Sequence, residues 1–283
     1  MIWKRWLTAV VGVPALLALC WWGVTPFALT MTAVAAAALG EMIAAQDRTG
    51  LRTNLIVAVI GLLGPALPVI FPHGLRASAL PLSGVAALVV ALFLAGLLWE
   101  LVVACRSETI RTGANLGAGL LCASYVALFG GVSILRATQG FRATLPTPNA
   151  DPGFLLVLLV LCCVWSTDTA AYYVGTSLGV NKLAPHLSPA KTVEGAVAGL
   201  AVAVTVGAIL GHFLLGRAVL GWWIGATAGV AGQLGDLFES ALKRELGIKD
   251  FGTLIPGHGG VLDRFDSLLF TAPVVWMLVL ALG

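Results

Sequence analysis

The chain has 283 residues, 59% of them hydrophobic and only 10% charged, with a formal net charge of +3. A soluble domain carries about a quarter charged residues, so the composition excludes an ordinary water-soluble globule and makes a bilayer the natural solvent. No basic run interleaved with aromatics points to nucleic acid. The five cysteines (Cys20, Cys105, Cys122, Cys162, Cys163) lack C-x-x-C spacing and read as small apolar packing residues, supporting neither a zinc site nor a disulfide framework.

Taken in chain order, the first apolar run follows Lys4 and Arg5, as a signal peptide would. From Trp6 to Val24 it is about 19 residues, longer than a secretory h-region and long enough to span a bilayer, so it reads as the first membrane helix. Eight more runs follow: Pro26–Ala45, Asn54–Phe71, Leu80–Val103, Ala114–Leu135, Phe154–Gly175, Gly195–Leu215, Val219–Leu242 and Ser267–Leu282. The run Val219–Leu242, eighth of the nine, ends in polar turns bearing Asp236, Glu239 and Lys243, which predicts a helix continuing beyond the hydrocarbon. The fold class predicted is all-α, a polytopic integral membrane helical bundle with about nine transmembrane helices. Residues 1–150 form N-terminal helices rich in Gly and Ala, suited to close packing in lipid. Residues 151–283 form a C-terminal transmembrane region with a cytoplasm-facing polar site.

Basic residues set the orientation. With the N-terminus inside, Lys4, Arg5, Arg48, Arg52, Arg106, Arg111, Lys182, Lys191, Lys243, Arg244, Lys249 and Arg264 are cytoplasmic. Arg76, Arg136, Arg142 and Arg217 face outward, giving twelve against four. The expectation is a multi-pass protein of the cell membrane with a cytoplasmic N-terminus and an external C-terminus. The stretch Gln139–Pro152 is its long polar outer connection.

Polar residues concentrate in Gly235–Ser267, GDLFESALKRELGIKDFGTLIPGHGGVLDRFDS. Asp236, Glu239, Ser240 and Lys243 stand at i, i+3, i+4 and i+7, so they share one helix face. Asp263 and Asp266 stand at i, i+3 if Val261 opens the last helix. The charges alone fit two readings: a solvated juxtamembrane loop with ordinary salt bridges, or carboxylates on neighbouring helices holding a hard divalent cation. The PGHGG turn, with glycines around His258, lets backbone approach a ligand and offers N–H groups to a phosphate.

Ser240–Ser267 resembles the signature of phosphatidate cytidylyltransferases, also called CDP-diacylglycerol synthases. The S-x-x-K-R, K-D-x-G, P-G-H-G-G and L-D-R-x-D elements occur in that order. Flanking GQLGDLFES fits as well. WSTDTAAYYVG, Trp165–Gly175, resembles the family's D-T-G-A-Y segment, with Ala170 in place of Gly. LSPAKTVEG, Leu187–Gly195, resembles its S-P-K-K-T-x-E-G segment, with Ala190 in place of Lys. The likeness runs from about Phe154 to the end, whereas residues 1–150 resemble the family only in being helical and apolar.

The resemblance implies an all-α homodimer in the membrane that makes CDP-diacylglycerol from CTP and phosphatidic acid. It implies metal ligands at Asp236 and Asp263, then at Asp250, Asp168 and Glu239. Magnesium or another hard divalent cation would be the cofactor, with room for a second, monovalent one. Lys243, Arg244, Lys249, Arg264 and Lys191 would meet phosphates, and His258 with Gly259 and Gly260 would cradle one. Ser188, Thr192, Ser240 and Tyr172 would complete the substrate site. Two competing classes are a secondary transporter, for which no inverted repeat is seen, and a CTP-dependent kinase or cytidylyltransferase acting on another membrane lipid. Labelled CTP separates them. No G-x-x-x-x-G-K-[ST] nucleotide loop occurs.

Overall fold

A computed structural model of the chain describes residues 2–70, 82–106, 111–138, 151–255 and 259–282. Arg76, Arg142, the outer connection at 139–150 and His258 lie outside them. The described residues are overwhelmingly helical. In order they form α1 (Ile2–Trp22), α2 (Val24–Asp47), α3 (Leu55–Ala58), α4 (Leu63–Ile70), α5 (Leu82–Arg106), α6 (Thr112–Ala127), α7 (Phe129–Ala137), α8 (Pro152–Leu178), α9 (Val193–Leu215), α10 (Ala218–Glu245) and α11 (Asp266–Leu282). A 3-10 turn, Val59–Leu62, joins α3 to α4, and α6 runs on into α7 through Leu128. Read with those joins, the helices occupy all nine predicted span positions.

Among the described residues, five helical stretches are long and apolar enough to cross a bilayer: Val24–Asp47, Val89–Arg106, Thr112–Ala137, Pro152–Leu178 and Val193–Leu215. Val10–Trp22, Leu55–Ala66 and Asp266–Leu282 are shorter apolar helices. The protein is therefore a polytopic membrane helical bundle. Helix α10 has 28 residues, about 42 Å at 1.5 Å per residue. That exceeds the ~30 Å hydrocarbon layer, and its last turns carry the polar face anticipated from the sequence.

Small residues set the closest helix pair. Gly207 and Gly211 of α9 lie against Gly221 and Gly225 of α10, and a methyl group at any of them would run into the facing backbone. This is the small-residue packing that replaces hydrophobic driving force between helices in lipid. Among the described residues, a hydrophobic core joins Phe27, Met31 and Phe129 of the N-terminal half to Leu156, Leu159 and Leu269 of the C-terminal half.

The sequence reading missed a two-stranded hairpin: β1 (Lys182–Ala184) pairs antiparallel with β2 (Ser188–Thr192). Its strands are too short, and with Pro189 too irregular, to show a period-two pattern. Tertiary anchors hold it instead. The Glu194 carboxylate accepts the backbone N–H groups of Val180 and Asn181 and the Asn181 amide. Thr192 caps α9 by accepting the Gly195 N–H at 3.2 Å.

The two ends of the bundle differ. At one end Arg136, fully buried, donates to the Cys20 carbonyl and pairs with Asp151 at 2.8 Å, tying α1, α7 and α8. Exposed Trp21, Trp22, Trp222 and Trp223 sit at that end, as aromatic side chains do at a membrane–water boundary. The other end holds the hairpin, the C-terminal turns of α10 and the turn before α11.

Candidate active site

Three segments singled out in the sequence meet at one cavity of about 260 Å³. Helix α8 contributes Asp168, Tyr172 and Thr176; the hairpin contributes Ala190, Lys191 and Thr192; α10 contributes Gln233 and Asp236. The Lys191 Nζ lies 2.6 Å from Asp236 Oδ2, an ion pair across the cavity with both side chains partly solvated. Ser240 Oγ donates a long 3.5 Å bond to Asp236 Oδ1.

A second charged assembly lies deeper. Lys243 Nζ donates to Glu239 Oε1 at 2.9 Å and to Asp263 Oδ1 at 2.8 Å. Glu239 is fully buried and also accepts the Tyr125 hydroxyl at 3.3 Å. Asp263 Oδ2 accepts the N–H groups of Phe251 at 3.0 Å and Gly260 at 2.9 Å. Burial alone would raise the Asp263 carboxyl. The hydrogen bond and charge of Lys243, with the Gly260 N–H, outweigh it and hold the group below the usual aspartate range.

The expected phosphate cradle at Gly260 therefore has its N–H committed to Asp263. Gly259 adopts φ +85°, the left-handed conformation that favours glycine, and its carbonyl accepts the Ile255 N–H. Asp250 is exposed and lies beside Gly259. Arg244 is held by the Leu187 and Ile248 carbonyls. Lys249 and Arg264 are exposed and pair with no carboxylate among the described residues. Ser188 opens β2 beside the cavity rather than lining it.

The donor set bears on metal binding. Among the described residues, no three His, Cys, Asp or Glu side chains are grouped to hold an ion. Asp236 and Asp168 share the cavity wall, and the Asp266 backbone packs against Gly235, the residue next to Asp236. This fits magnesium held by one or two protein carboxylates and completed by phosphates and water; an all-protein cage it does not fit. The two carboxylates expected to act together, Asp236 and Asp263, have separate partners: Lys191 for one, Lys243 and two backbone N–H groups for the other.

Sequence reasoning overlooked Glu41, Tyr125 and the part played by Asp266. Glu41 lies on α2 and is buried against the turn before α11. It had a signal: an ionisable residue inside an apolar span is costly and is a functional candidate by default. Tyr125 on α6 had none. A larger cavity of about 310 Å³, lined by Met42, Leu121, Leu242 and Phe251 with Gln46 and Glu245, lies between α2, α6 and α10. It is mainly apolar and contains none of the expected substrate residues.

Comparison with known proteins adds sequence-wide context. The model of the Cytidylyltransferase family matches residues 3–282. A phosphatidate cytidylyltransferase of Bacillus subtilis is 34% identical over 98% of this chain and 97% of its own. Those of Synechocystis and Haemophilus influenzae are 44% and 48% identical, over 47% and 44% of this chain and 46% of each relative.

Proposed function

The chain belongs to the cytidylyltransferase family, and on that footing we propose that it transfers the cytidylyl group of CTP to phosphatidic acid in the membrane. The products are CDP-diacylglycerol and pyrophosphate. The observation that carries the reading is the convergence of three separate segments, 165–175, 187–195 and 232–240, on one cavity crossed by the Lys191–Asp236 pair.

A phosphatidate oxygen attacks the α-phosphorus of CTP, and the bond to the β-phosphate oxygen breaks as pyrophosphate leaves. The nucleophile is already an anion near neutral pH, so the site has no need of a strong base. Its task is to bring two anions together and stabilise the departing charge. Lys191 is the cation at the cavity wall and is our choice to meet a phosphate there. Arg264, exposed on the turn that leads into α11, is the second. Lys243 acts from behind, fixing Glu239 and Asp263 and through them the turn that leads into α11. Asp236, with Asp168 or Asp266 beside it, would hold magnesium, which when bound would neutralise phosphate charge.

Orientation follows from the same reading. The twelve-to-four basic asymmetry supports a cytoplasmic N-terminus. The Arg136–Cys20 contact supports it too, because it places the C-terminal end of α1 away from the cavity and leaves its N-terminal end on the cavity side. The C-terminus is then external, since Arg217 reaches the Leu282 carbonyl at that far end. The working assembly is a homodimer, which cross-linking in native membranes would reveal.

The test uses proteoliposomes containing phosphatidate and magnesium, with CTP labelled in parallel at the α- and γ-phosphates. Label from the α position alone should enter lipid, with an equal amount of pyrophosphate released. Entry of γ label would mean a kinase, and no lipid label would refute the transfer.

A further inference from the structure

We propose that Glu41, far from the signature in sequence, is a positioning residue for the transfer: from α2 its carboxylate holds the turn that carries Asp263 and Arg264. The inference rests on the cytidylyltransferase reading above. Glu41 is 6% exposed, and none of the described lysines or arginines pairs with it. Its Oε1 accepts the Val261 N–H at 3.0 Å and its Oε2 the Leu262 N–H at 3.1 Å. These are consecutive amides where the 3-10 turn Leu262–Arg264 begins. A carboxylate from another helix thus caps the turn with two charge-assisted bonds.

The glycines around it explain themselves by the same contact. A methyl group at Gly252 would overlap the Glu41 carboxylate, and one at Gly260 would come within 2.5 Å of Oε2. Neither glycine has a positive φ, so both are needed for space, unlike Gly259. The turn is consequently held from two sides. Glu41 grips Val261 and Leu262, while Asp263 grips the Phe251 and Gly260 amides and passes the constraint to Lys243. A buried carboxylate with no cation is a costly way merely to fill a helix interface. Its two oxygens match two adjacent amides, so the geometry of the turn is what it fixes.

The experiment compares the purified full-length protein with Glu41→Gln and Glu41→Asp. The Gln amide offers one acceptor oxygen and turns its NH2 toward the other amide. For Glu41→Gln we expect kcat to fall about 30-fold with KM for CTP within about threefold, the pattern of lost transition-state geometry rather than lost binding. Hydrogen exchange in peptides covering Val261 and Leu262 should accelerate, with exchange in α8 and α9 unchanged. Glu41→Asp keeps both oxygens and should recover part of kcat. Unchanged kcat, or a loss that merely follows the folded fraction without local change in exchange, overturns the proposal. If Glu41→Gln does not accumulate, Gly252→Ala carries the test. Paired with the shorter Glu41→Asp it should have a higher kcat than alone, and simple additive losses would overturn the contact. Wild-type protein that makes no lipid-linked cytidylate would sink the functional reading, while the exchange arm would still decide whether Glu41 holds the turn.

Discussion

The two lysine–carboxylate assemblies use the same chemistry and are built for different ends. Lys191 and Asp236 meet across a cavity, each one-quarter to one-third exposed. Each has other capacity to spare, so the pair can open when a ligand offers either member a better partner. Lys243 is shared between Glu239 and Asp263, whose side chains are 0% and 2% exposed. Every oxygen of those two carboxylates has a donor. A buried, fully satisfied network fixes structure, whereas a half-solvated pair is available for work. Near neighbours on one face of α10, Asp236 and Glu239, thus end up on opposite sides of that division.

The largest effect should come from breaking the buried assembly. Lys243→Ala would strand two carboxylates without a counter-charge, which costs about 3–5 kcal/mol for a buried pair. We expect a sharp fall in the thermal midpoint of the detergent-purified protein and in its membrane yield. Asp236→Asn, on the open side, should behave in the reverse way. It keeps size, leaves the midpoint nearly unchanged and should lower kcat about 10²–10³-fold, the range for losing one pre-placed electrostatic group. If its activity is near normal, the cavity assignment is wrong.

The same contrast shows what could be read from the chain beforehand. Hydropathy placed the helices of a polytopic bundle, because lipid demands an apolar helix wherever the chain crosses it. It did not show the interruption by the 3-10 turn Val59–Leu62. There Gly61 and Gly64 lie against the backbone of Ala123 and Ala127, a fact about the neighbouring helix. The i, i+3, i+4, i+7 spacing placed Asp236, Glu239, Ser240 and Lys243 on one face. Spacing could not tell which of them would face the cavity, since Tyr125 and Asp263 decide that from elsewhere. The hairpin and the Glu41 contact were likewise illegible locally. Their partners lie 13 positions away for the Asn181–Glu194 anchor and 220 for Glu41 and Val261, beyond the reach of a local pattern.

A smaller effect should sharpen the comparison from the lysine side. Lys191→Ala should reduce kcat/KM about tenfold, or roughly 1.4 kcal/mol of transition-state stabilisation, without lowering the thermal midpoint. Adding Ala190→Lys should restore part of the loss, because Ala190 lines the same cavity. Unchanged kinetics at physiological salt would reduce Lys191 to a solvated loop cation.

The smallest expected effect is in acid. The Asp263 carboxyl is held below its unfolded value, so its contribution to stability is complete above the ordinary aspartate pKa. It is lost as pH falls below about 4 and through the folded value. Thermal midpoints measured from neutral pH downward should therefore fall more steeply for the wild type than for Asp263→Asn, starting near that pH. Parallel curves would mean that Asp263 gains nothing from Lys243 and the turn.

The central claim is that CTP occupies the cavity between α8, the hairpin and α10. Photocrosslinking with an azido-substituted CTP in native membranes, with the attachment sites mapped by mass spectrometry, tests it directly. We predict attachment within 165–196 and 232–240, competed by unlabelled CTP. Attachment confined to the apolar cavity between α2 and α6, or to residues outside both cavities, would contradict the account.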